Sequence, residues 1–89
     1  MNYQCIVSGK VQRVYYRSYI RDMASSAGFN GFVKNLPDGN VESCVTLKNN
    51  QQLNHFIQIL NTGSPHSRVD HIDTRSIAEK FSGGFEIRK

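Results

Sequence analysis

Apolar residues recur along this 89-residue chain in two periods, and the switches between the periods mark its elements. Tyr3, Cys5 and Val7 alternate with Gln4, Ile6 and Ser8 in a short run ended by Gly9, which predicts a strand over residues 3–8. Tyr16, Tyr19, Ile20, Met23, Ala24 and Ala27 then fall at helical spacing, with Arg21, Asp22, Ser25 and Ser26 on the other side and Gly28 as the stop. Residues 31–35 read as a second strand. Pro37-Asp38-Gly39 is a hairpin turn, and Val41, Val45 and Leu47 alternate along a third strand. A second amphipathic helix carries Leu53, Phe56, Ile57 and Leu60, capped by Asn49 or Asn50 and ended by Gly63 and Pro65. Val69 and Ile72 mark a weaker fourth strand within residues 68–77, residues 80–84 form a turn region, and Phe85-Glu86-Ile87 is a short last strand.

Strand, helix, strand, strand, helix, strand is the split β-α-β order of an α+β, ferredoxin-like two-layer sandwich (βαββαβ), an antiparallel sheet with two helices on one face. A doubly wound parallel sheet would need a helix between the second and third strands, and the Pro-Asp-Gly turn leaves no room for one. With no repeat, low-complexity tract or linker, residues 1–89 are expected to form a single domain.

Eleven Lys and Arg against seven Asp and Glu give a net charge of +4, which suits anionic partners without choosing among them. The N-terminus lacks the basic start and long apolar core of a secretory signal, and no stretch is long enough to span a membrane. Strand parity places Cys5 on the core face and Cys44 outward with Glu42 and Thr46, so the two cannot bridge. Two free thiols fit a reducing, cytoplasmic setting. His55, His66 and His71 lack metal-ligand spacing, and Ser64, Ser67 and Asp70 near His66 come without a nucleophile elbow. The outward positions Gln4, Ile6, Ser8, Glu42, Cys44 and Thr46 give no aromatic platform for bases, which argues against nucleic acid.

The chemistry concentrates in Gly9-Lys10-Val11-Gln12-Arg13-Val14-Tyr15-Tyr16-Arg17. A loop between a strand and a helix N-terminus turns several N–H groups to one spot, where the helix dipole favours an anion. Arg17, in the first helical turn, can bring a planar guanidinium to the same anion, and Tyr16 and Tyr19 belong to the core while Tyr15 rims the site.

Residues 9–17 resemble the signature of acylphosphatases, Gly-x-Val-Gln-Gly-Val-x-(aromatic)-Arg. Gly31-Phe32-Val33-Lys34-Asn35 with Asp38-Gly39-Asn40-Val41-Glu42 is a second match, Gly63-Ser64-Pro65 a looser third, and Phe85-Glu86-Ile87 fits the end of such chains. The resemblance covers the whole chain. It implies hydrolysis of the carboxyl–phosphate bond of a small-molecule acyl phosphate, without metal or cofactor, by a monomer. It implies further that Arg17 binds substrate, that Asn35 positions the attacking water, and that the backbone of Gly9, Lys10, Val11, Gln12, Arg13 and Val14 cradles the phosphate. Arg13 stands where the family has its second glycine. If that position needs a positive φ, the arginine strains the loop; if the backbone is ordinary there, Arg13 adds a cation beside the site. Reduced rather than absent activity is expected, raised by Arg13→Gly. The rival reading is a weakened or inactive module of the same fold that binds phosphate or a protein.

Overall fold

The computed structural model describes residues 1–89. Its elements run β1 (Asn2–Lys10), α1 (Tyr16–Ser26), β2 (Asn30–Asn35), β3 (Val41–Thr46), α2 (Asn50–Thr62), β4 (Arg68–Ser76) and β5 (Phe85–Arg88). The five strands form one sheet in the order β4-β1-β3-β2-β5. The ferredoxin-like sandwich is therefore the observed fold, with one correction. Four strands pair antiparallel, but β5 pairs parallel with β2, Gly31 opposite Phe85 and Val33 opposite Ile87, so the sheet is mixed. The residues after β4 cross from one sheet edge to the other, and the last strand arrives in the same direction as β2.

Strand alternation sends Cys5, Val7, Val33, Val41 and Val45 toward the helices, where they meet Tyr16, Ile20 and Ala24 of α1 and Phe56, Ile59 and Leu60 of α2. Ile59 completes a stripe that the sequence pattern showed only through Leu53, Phe56, Ile57 and Leu60. Met23, assigned to the α1 stripe, is exposed instead. The helix ends follow their local chemistry. The Asn49 side chain accepts the Gln52 N–H at the start of α2. Gly28 at φ 78° closes α1 in a Schellman arrangement, Phe29 N–H to Ala24 O and Gly28 N–H to Ser25 O.

The opposite face of the sheet is not open, as its polar alternation suggested. Phe32 of β2 and Cys44 of β3 point there, and the segment after β4 folds over them so that Phe81 meets Phe32 edge-on at 5.6 Å between ring centres. The Thr46 hydroxyl accepts the Phe81 N–H, the Asn30 side chain accepts the Gly84 N–H, and the Arg88 guanidinium lies 4.1 Å from the Phe32 ring centre. Cys44, expected to face outward, is thus on the predicted face but buried. Both cysteines are free. Burial pushes both thiols up, Cys44 to about 12 with Glu42 adding to the shift, and Cys5 with the Thr74 hydrogen bond to its sulfur working the other way.

Candidate active site

At the C-terminal end of β1 the chain leaves the sheet at Val11 and re-enters regular structure at Tyr16. Gly9 and Lys10, expected in the loop, are the last residues of β1, paired with Val69 and Arg68 beyond a bulge. Gly9 (φ 133°) has a structural reason to be glycine: a Cβ there would strike the Arg68 carbonyl oxygen.

The remaining loop has a distinctive backbone. Arg13 and Tyr15 both have φ 61°, the only non-glycine residues with positive φ, so the sign of φ alternates along Gln12, Arg13, Val14 and Tyr15. That alternation folds successive N–H groups into a concave anion nest. None of the four N–H groups of Gln12–Tyr15 reaches a protein acceptor; the loop's one backbone bond runs from Tyr19 N–H to Tyr15 O. Tyr15 is also the N-cap of α1 and supplies no side-chain cap, and the first turn holds no acidic residue. The helix dipole is therefore not offset by a side-chain cap or a carboxylate in that turn.

Two buried contacts and one tether hold the nest in shape. The Ser64 hydroxyl, on a residue only 4% exposed, donates to Val14 O at 2.6 Å, and the Tyr16 hydroxyl donates to Leu60 O at 2.7 Å. Gln12 turns its side chain away from the nest and donates to Leu36 O at 2.9 Å and Asn40 O at 2.8 Å. The loop is thereby tied to the β2–β3 turn, which begins directly after Asn35.

A cavity of 340 Å³ opens at the nest, lined by Val11, Arg13, Tyr15, Tyr16, Arg17, Ser18, Asn35 and Ile87. Arg17 and Asn35 therefore meet in one place, although they come from different elements. Arg17 is half-buried and has no carboxylate within 4.0 Å, whereas Arg21, Arg68 and Arg88 each have one within 3.1 Å. Asn35 is half-buried at the end of β2, and its Oδ1 is buried without a hydrogen-bond partner. A free guanidinium at a helix N-terminus opposes the dipole, and an unmatched amide oxygen costs stability. An anion arriving at the helix start would relieve the first of these conflicts.

A family model for acylphosphatase matches residues 3–87. The chain belongs to the acylphosphatase family. An acylphosphatase of Natronomonas pharaonis is 40% identical over 83 residues, covering 93% of this chain and 89% of the relative. One from Deinococcus radiodurans is 37% identical over 87 residues, covering 98% and 99%. The crystal structure of acylphosphatase from Bacillus subtilis superposes with a TM-score of 0.90 at 32% identity, covering 99% of this chain and 98% of that one.

This hydrolase of the acylphosphatase family carries a non-glycine residue at the strained corner of its nest. Arg13 adopts the positive φ that glycine would take freely, at a cost of about 1–2 kcal/mol. Sequence reasoning anticipated that strain at Arg13 but not at Tyr15, whose φ has no local signal. The contacts of the Ser64 hydroxyl with Val14 O and of the Gln12 side chain with Leu36 O and Asn40 O were not anticipated either. Ser64 lay in the Gly-Ser-Pro match, which was the available hint.

Proposed function

We propose that residues 1–89 act as one unit that hydrolyses acyl phosphates to a carboxylate and inorganic phosphate, with no resident metal. The observation that carries this reading is the meeting of Arg17, which has no ion-pair partner, Asn35, and the nest residues Arg13 and Tyr15, whose N–H groups are unbonded, around one 340 Å³ cavity. The phosphoryl oxygens sit against the nest and accept from Arg17, which neutralises the ground state and, more strongly, the charge of an in-line transition state. The Asn35 side-chain amide, on a residue that lines the cavity, hydrogen-bonds the attacking water and sets its direction. Water oxygen forms the new bond to phosphorus, the bond from phosphorus to the carboxyl oxygen breaks with its electron pair, and the carboxylate departs. The water's second proton passes to a phosphate oxygen, so a dianionic acyl phosphate and water yield carboxylate and dihydrogen phosphate. A neutral amide is no general base, and with so good a leaving group none is required; positioning carries the rate.

The cavity lining contains no carboxylate, imidazole or thiol, which supports catalysis without a bound metal. The covering of Phe32 by Phe81 supports a small-molecule substrate over stacked bases. Turnover of benzoyl phosphate in the presence of a chelator tests the reading. Release of benzoate at an unchanged rate with chelator is expected. No release above the uncatalysed rate returns the chain to the rival reading, a module that binds without turnover.

A further inference from the structure

We propose that Arg13 is a specificity-determining residue that favours acyl phosphates bearing a carboxylate on the acyl chain. This inference rests on the hydrolase reading of the same cavity. Two arginines, Arg13 and Arg17, are among the residues that line that cavity, and no acidic residue is. Like Arg17, Arg13 makes no ion pair; Arg21, Arg68 and Arg88 are paired, and Arg75, also unpaired, lies on β4 away from this cavity.

The two cations occupy different depths. Arg17 is half-buried at the helix start and serves the phosphoryl group together with the nest. Arg13 lines the same cavity but is exposed, which places the residue at the mouth. A substrate with its phosphoryl group in the nest extends its acyl end toward that mouth. A carboxylate there meets a guanidinium with no competing partner, whereas an uncharged acyl group leaves it unused. The residue holds this place in a left-handed conformation, φ 61°, where glycine would fit without strain. Tyr15, 83% exposed at the same rim, offers the contrary preference, an aromatic acyl group stacked on its ring.

The experiment compares kcat/KM on succinyl phosphate and on benzoyl phosphate for wild type, Arg13→Gln, Arg13→Lys and Arg13→Gly. Arg13→Gln keeps a side chain on the strained corner and removes only the charge. The succinyl-to-benzoyl ratio should fall about fivefold in Arg13→Gln and Arg13→Gly, stay near wild type in Arg13→Lys, and fall with added salt only where the charge is present. Thermal melts confirm that each variant is folded. A ratio unchanged in Arg13→Gln, or lost equally in Arg13→Lys, overturns the proposal while leaving the hydrolase reading intact. Failure of wild type to hydrolyse either compound removes both.

Discussion

Gln12 ties the anion nest to the turn after Asn35, and cutting that tether is a sharp perturbation. Its amide donates at 2.9 Å to Leu36 O and at 2.8 Å to Asn40 O. In Gln12→Ala both carbonyls keep a second partner, since Leu36 O accepts from Gly39 N–H and Asn40 O from Leu36 N–H. Neither becomes a buried orphan, so the loss is about 1 kcal/mol per bond, roughly 2 kcal/mol in all. For a chain of this length that corresponds to a fall in Tm of about 8–16 °C. Gln12→Glu is the informative control. Its carboxylate has the same size but faces two carbonyl oxygens with no proton to give, so it should destabilise at least as much. Melts followed by circular dichroism, with and without inorganic phosphate, read both effects, and phosphate should stabilise the Ala variant less than wild type because its nest is looser. A Gln12→Ala melt within about 2 °C of wild type, or a Gln12→Glu variant as stable as wild type, would refute the tether.

Gly9→Ala should be worse than any of these, losing more than about 3 kcal/mol because the new Cβ meets backbone at Arg68 and the φ of 133° is strained; a soluble variant with wild-type Tm contradicts it. Ser64→Ala leaves Val14 O without its 2.6 Å donor, and a loss of about 1–3 kcal/mol with weaker phosphate binding is expected in melts and calorimetry; stability or affinity equal to wild type counts against it. The raised thiol of Cys44 titrates near 12 when folded against 9.0 as its reference, so the unfolded chain ionises first. Its contribution to stability is full below about pH 9 and drains away as pH climbs toward 12. Alkylation of both cysteines at pH 8 should be slow until denaturant is added, and rapid labelling of the native protein would contradict their burial.

The helices and the antiparallel strands were legible because each buries a periodic stripe and stops at a residue with a mechanical reason to stop. Gly28, Asn49 and the Pro-Asp-Gly turn carried that information locally. The parallel β5 was not legible. Its direction is set by the path of the crossing segment, a long-range matter on which Phe85-Glu86-Ile87 is silent. The burial of Cys44 and Phe32 escaped for the same reason, since period-2 alternation names a face but not what covers it. At the site, Arg17 and Asn35 were visible through the motif and the structure brings them together. Gly9 and Lys10 were placed one element too late because a glycine reads as a strand end even where it sits at a bulge against a neighbouring strand. The φ of Tyr15 and the reach of the Gln12 side chain follow from tertiary contacts that no local pattern encodes.

The proposed division of labour between Arg17 and Asn35 is the point on which the hydrolase reading stands. Steady-state hydrolysis of benzoyl phosphate by Asn35→Ala, set beside the inhibition constant of inorganic phosphate, tests it most directly. Asn35 should affect the attack and not the grip, so kcat should fall by about 10²–10³ while phosphate inhibits within about threefold of wild type. A variant that keeps its kcat, or one that loses turnover and phosphate binding in equal measure, would contradict the assignment of the water to Asn35.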